Sequence, residues 1–175
     1  MKLIPRHRID APIIAVHPAD EAWDVEKLEK SAQEHGDDCP FLTYHRGVTR
    51  FDLGARGPHG SAQDMLSGQP VEFHLRRLST LQLNEVQGML EREITQDFPL
   101  PRAAYLLAAR YGLTAVKQGG TSLVDIDRPG NLTEADLQTL GTLTDLGIGL
   151  VMFIGQASYA ASQPLTEAEG KPFGS

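Results

Sequence analysis

The sequence predicts an α+β protein: a β-rich N-terminal part with a hairpin and one helix, then a helical C-terminal part. Three observations predict it. Within PVEFHLRRLSTLQLNEVQGMLEREI, the run from Pro70 to Ile94, the apolar period changes from two to three-or-four across a Ser-Thr pair. Short β-rich runs punctuated by Gly and Pro precede that switch, and long helical patterns follow it. Segregated periods of this kind favour α+β over alternating βαβ units. With 175 residues, 41% of them hydrophobic, residues 1–175 are read as a single domain with its own core. Residue 70 is where a β-rich module, 1–69, would give way to a strand plus helices, 70–175.

The elements follow in order. Ile13, Ile14 and Val16 form a short apolar strand between Pro12 and Pro18, and the missing proline N–H places it at a sheet edge or beside a turn. A helix is expected over 20–33, capped by Asp20 or Asp24, with Trp23, Leu28 and Ala32 inside and Gly36 as its left-handed stop. The runs 41–45 and 48–53 flank Arg46-Gly47, where glycine takes the positive φ of a tight turn, and predict a hairpin. Residues 54–60, GARGPHG, read as a loop, and 61–67 as a short helix that Gly68 ends.

Next, Val71, Phe73 and Leu75 alternate with Glu72, His74 and Arg76, as a half-buried strand requires. Leu83, Val86, Leu90 and Ile94 then recur at helical spacing behind a capping Ser79 or Thr80. Pro101 suits the first turn of a following helix over 103–111 that Gly112 closes. Leu113 to Val116 are expected to prolong it briefly before a polar, turn-rich loop, 119–131. Thr133, three residues before Asp136, makes a variant capping box for a helix over 134–140. A last helix, or a bent continuation, spans about 145–162 with Ile148, Val151, Met152, Ile154 and Tyr159 apolar, and Pro164 ends it.

Chemistry is sparse. A net charge of −7 removes the cationic surface that supplies most non-specific affinity for phosphate backbones, so no nucleic-acid partner is expected. Cys39 is the single cysteine, which excludes an internal disulfide and a Cys-rich metal site and fits a reducing compartment. The longest apolar run, 148–154, contains Gly149 and falls short of the roughly 18 residues a membrane span needs, so it reads as a buried helix and no membrane partner is expected. His7, His17, His35, His45, His59 and His74 make no pair spaced for one helical face, so no metal is expected. Gly147, Gly149 and Gly155 fit neither nucleotide-loop spacing. With Ala157, Ser158, Ala160 and Ala161 they read instead as small residues that let another helix approach closely. No catalytic residue and no cofactor is assigned.

The run PVEFHLRRLSTLQLNEVQGMLERE, followed by an alanine-rich helix and a last helix ending in QPLTEAEGKPF, resembles the tail assembly chaperones and related small tail-module proteins of long-tailed bacteriophages. In that family an alternating strand ending in L-S/T precedes a helix, and a late helix is followed by an L-T-x-x-E-x-K-like end. The matching positions are Val71 to Ser79, Leu81 to Glu93 and Leu165 to Lys171, and the residues before Pro70 depart from the pattern. The resemblance implies a non-enzymatic morphogenesis protein acting through protein contacts in tail assembly, or as a virion component of the tail or head-tail region. Its partners would be other phage structural proteins and copies of itself, met in the host cytoplasm during assembly. The expected contact residues are Val71, Phe73 and Leu75 on an unpaired strand, and Met152, Phe153 and Tyr159 on the last helix; the competing reading puts both in the core. A reading from another class is a small cytoplasmic enzyme or ligand-binding domain, its pocket between hairpin and helices, where Tyr44, His45, Arg50 and His74 converge.

Overall fold

The computed structural model describes residues 13–35, 44–45, 48–49, 53, 56–57, 60–96 and 101–163. Its first half carries β1 (Ile13–Val16), α1 (Val25–His35), β2 (Tyr44–His45), β3 (Val48–Thr49), β4 (Arg56–Gly57), β5 (Gly60–Ser61) and a 3-10 turn, Ala62–Met65. Then come β6 (Val71–Leu75), α2 (Thr80–Thr95), α3 (Arg102–Gly112), β7 (Leu113–Gln118), β8 (Thr121–Val124), α4 (Glu134–Gly141) and α5 (Ile148–Ser162). The fold is α+β. Its main sheet is antiparallel in the order β1-β6-β7-β8, so β1 is an edge strand, as its flanking prolines suggest.

Two of the four sheet strands lie in the second half of the chain, which corrects the expected division into a β-rich start and a helical end. Residues 113–116 do not prolong α3. The helix ends at Gly112, whose neighbour Leu113 is already extended, and β7 begins there without a loop. Gly119 (φ 56°) and Gly120 (φ 84°) supply the two positive φ angles of a turn whose twist matches paired strands, so the expected loop folds back as β8. Arg76 and Arg110 then fasten the next segment, donating to Gly130 O (2.9 Å) and Leu132 O (2.8 Å).

Other boundaries shift for local reasons. The first helix starts at Val25, because the Asp20 carboxylate holds the turn before it, accepting from the N–H groups of Ala22 and Val71, each at 2.9 Å. Asp24 is the cap, accepting from Lys27 N–H at 3.1 Å. Trp23 lies outside the helix in an isolated antiparallel bridge with Leu66. The segment read as a loop at 54–60 contains a two-stranded pairing, Arg56 with Ser61 and Gly57 with Gly60, and the short helix after it is the 3-10 turn. Tyr44 pairs with Thr49 and His45 with Val48, as the hairpin requires. Arg46, Gly47, Gly36, Cys39, Pro164 and Leu165 to Lys171 lie outside the described residues.

The switch of period at Ser79 folds as read. Its side chain accepts from Gln82 N–H while the Gln82 side chain accepts from Ser79 N–H, a capping box that opens α2. Thr133 and Asp136 do the same for α4. Val86 is buried on α2, Leu83 and Leu90 are half-buried, and Ile94 is exposed at its far end.

The two faces of the sheet meet different partners. On one, Ala15, Phe73, Leu75, Leu113 and Val116 pack with Leu137, Leu140, Leu150, Val151, Phe153 and Ile154, so α5 lies at the centre of the core. Residues 150–155 are all buried, whereas Ile148 and Gly149, which open the apolar run expected to be buried, are exposed. Against α5 runs α3, with Ala104, Ala108 and Ala109 fully buried. A Cβ at Gly155 would collide with the backbone carbonyl of Tyr105, and one at Gly112 with Ser158. Two small-residue positions, Gly155 and Ser158, thus permit the close helix approach expected of the stripe. Gly147 (φ 56°) instead serves the turn before α5, and Gly149 is exposed.

On the other face, Val16, Trp23 and Ala62 form a smaller cluster with Leu28, Leu53, Met65 and Leu66, on the β1 side. His17 joins this cluster to the main core. Its ring meets Phe153 edge-on, centroids 4.8 Å apart at 73°, its Nδ1 accepts from Ala19 N–H (3.1 Å), and its carbonyl accepts from Trp23 Nε1 (3.0 Å). Burial pushes the His17 pKa below the ordinary histidine value, and the nearby Asp20 charge opposes this only in part. The unfolded chain therefore takes up this proton first as pH falls. Stability from His17 is full above the unfolded value of about 6.5 and is lost as pH drops through it toward the lower folded value. Urea titrations across that range should show this decline, and His17→Gln should flatten it.

Candidate functional site

The expected contact residues sit largely inside the molecule. The strand β6 is interior, paired with β1 on one side and β7 on the other, so the unpaired edge on which the expectation rested does not exist. Phe73 and Leu75 are each 1% exposed, Met152 and Phe153 are buried, and half-buried Val71 packs against the same core. Tyr159 packs beside Leu78 and Val86 and donates to Gln87 Oε1 at 3.2 Å, and burial pushes its phenol pKa upward. All six belong to the core or its margin because the sheet is continuous across β6 and α5 covers it. Among the described residues, the large apolar side chains left in solvent are instead Leu81, Ile94, Val25, Leu123 on β8, and Leu146 and Ile148 at the entrance to α5.

Of the groups proposed to converge on a pocket, only the His74 side chain lies among those described. Arg50 lies outside the described residues, and Tyr44 and His45 form β2. His74 does border a polar surface. Alternation along β6 sends Glu72 and His74 to the face opposite Phe73, and the antiparallel register puts Lys117 across from Glu72 on that same face. The Trp23 cluster lies beside Glu72, since Val16 faces it in the β1–β6 register, and the chain from Gln63 to Pro70 borders the same space. An open cleft of about 380 Å³ results, with Leu53, Leu66 and Pro70 as apolar wall and Gln63, Ser67, Gln69 and Glu72 as polar wall.

Local contacts fix its shape. Ser67 N–H donates to Ala22 O at 2.8 Å, which pins the strip to the turn before α1. Gln118 Nε2 donates to Gln69 O at 3.0 Å, and the Gln69 side chain occupies the space that a Cβ at Gly119 would need. The glycine thus serves both the turn and the cleft. Glu72 Oε2 lies 3.0 Å from His74 Nε2, and the two side chains are only 26% and 18% exposed. A carboxylate so placed, with part of its water shell removed, attracts hydrogen-bond donors more strongly than it would in bulk water.

Sequence reading named His74, which touches Glu72 without lining the cleft, and missed Glu72 and the glutamines, because the cleft draws on residues from Leu53 to Gly119 and no local pattern joins them. Among the described residues, no three His, Cys, Asp or Glu side chains gather as a metal site, and no helix is long and apolar enough to cross a membrane. Comparison of the chain with protein-family models, with curated proteins and with solved structures finds no match.

Proposed function

We propose that this chain is a non-enzymatic assembly protein of a long-tailed bacteriophage, acting through protein contacts in tail building or in the tail and head-tail region. The observation that carries the reading is the unit β6–Ser79–α2: the stretch on which the resemblance rests folds as an alternating strand, a capping box and a helix in direct succession. The alanine-rich helix that follows is α3. Surface features agree with a role in contacts. Among the described residues β8 pairs with β7 alone, leaving its outer edge to solvent with Leu123 exposed, and a free sheet edge is a template for another chain. The partners are other tail proteins and copies of the chain itself, met in the host cytoplasm.

Co-expression with the tail-tube and tape-measure proteins of the same genome, followed by affinity recovery, tests the reading. Recovery of a tail protein with this chain is the expected result, and mass spectrometry of purified particles then decides whether the chain stays in the virion. A chain that emerges as a monomer from every such pairing overturns the proposal.

A further inference from the structure

We infer that the Glu72 cleft receives a basic side chain, arginine or lysine, presented by a partner protein. The inference rests on the protein-contact reading above and names the chemistry of one contact. Three features of the cleft carry it. Its volume of about 380 Å³ lies at the lower end of the range of small-ligand sites, about 300–1,000 Å³, room enough for one long side chain. The polar wall is rich in acceptors: Glu72 has one carboxylate oxygen not engaged by His74, and Gln63 and Gln69 carry carboxamide oxygens. The apolar lining residues Leu53, Leu66 and Pro70 suit the methylene stem that both basic side chains must bury before the charged head reaches an acceptor.

Charge points the same way. The carboxylate of Glu72 is largely withdrawn from water, and its hydrogen-bonded partner is an imidazole, whose charge depends on protonation. A guanidinium, planar and always charged, can bond a carboxylate oxygen and a neighbouring carboxamide oxygen together. Lys117, opposite Glu72 in the β6–β7 register, is a resident cation on the same face and competes with the incoming one.

The test is an amide-shift titration of the full chain by NMR with Nα-acetyl-arginine amide, and with Nα-acetyl-norleucine amide as the uncharged control. Saturable shifts at Gly68, Gln69 and Gly119 are expected with the arginine compound alone. Glu72→Gln keeps an acceptor for His74 and so preserves the fold, and should weaken binding about tenfold, the effect of losing one charge-assisted hydrogen bond. Lys117→Met should tighten it. Shifts that fail to saturate, an equal response to norleucine, or an unchanged affinity in Glu72→Gln overturns the inference. Recovery of a tail protein by Glu72→Gln as efficient as by the parent also sinks the cleft as a partner site, while leaving the assembly reading intact. Arginine binding with no tail protein ever recovered does the reverse.

Discussion

Gly155→Val is expected to destabilise the protein by about 3 kcal/mol or more, with Gly155→Ala moving the same way by a smaller amount. A Cβ at this position meets the carbonyl oxygen and carbon of Tyr105, which are backbone atoms and cannot swing aside as a side chain could. The helices α3 and α5 would have to separate, loosening the buried contacts of Ala104, Ala108 and Ala109. Helix propensity argues the other way, since alanine is favoured over glycine inside a helix by about 1 kcal/mol. The sign of Gly155→Ala therefore separates packing from propensity. Gly88 in the middle of α2, where an added Cβ meets no atom within 4 Å, is the matched control and should gain stability on mutation to alanine. Urea denaturation of the three variants decides the matter, and each kcal/mol lost should lower Tm by about 2–4 °C for a chain of this size.

Phe73→Ala should cost about 3–5 kcal/mol, a large share of the roughly 5–15 kcal/mol that holds a typical domain folded. The ring is 1% exposed at the centre of the sheet's helical face and meets Phe153 edge-on, centroids 6.1 Å apart at 72°. Removing it leaves a cavity bounded by strand and α5 together, and neither element can close in without disturbing a paired neighbour. Phe73→Leu keeps most of the volume and should cost far less. A loss below about 1 kcal/mol for the alanine variant, the usual surface response, would contradict this placement and revive Phe73 as a contact residue.

The legible parts of the fold are those where local signals agree. At Ser79 the change of period, the cap and the apolar run agree, and strand and helix form where the sequence places them. Thr133 and Asp136 likewise mark α4. The stripe containing Gly155 and Ser158 was legible as a close-packing surface, because small residues at helical spacing have few other uses. The hairpin β7–β8 was not. Its outer strand is polar and its inner one begins straight after Gly112 with no connecting loop, so the Gly119-Gly120 pair read as a loop rather than as the two positive φ angles of a tight reversal. Trp23 was misplaced on a helix because Asp20 can cap a helix or hold a turn, and only the tertiary bond to Val71 N–H selects between them. The cleft was illegible for a deeper reason: its walls are set by strand register and by where the Trp23 cluster packs, both of which are long-range outcomes. For the same reason the strand chosen as an open edge, β6, is interior, since strand order in a sheet is not written in any one strand.

The central position of α5 fixes when this protein can fold. Helix Ile148–Ser162 is the last described element to leave the ribosome, yet it supplies the surface that the strands, α3 and α4 all need. Until it emerges, Phe73, Leu113 and Val116 have no apolar layer to lie against, and the nascent chain carries a half-made sheet with its sticky side uncovered. Synthesis through α5 must precede formation of the interior, and translation that stops short of Ile148 leaves an aggregation-prone fragment rather than a smaller stable protein.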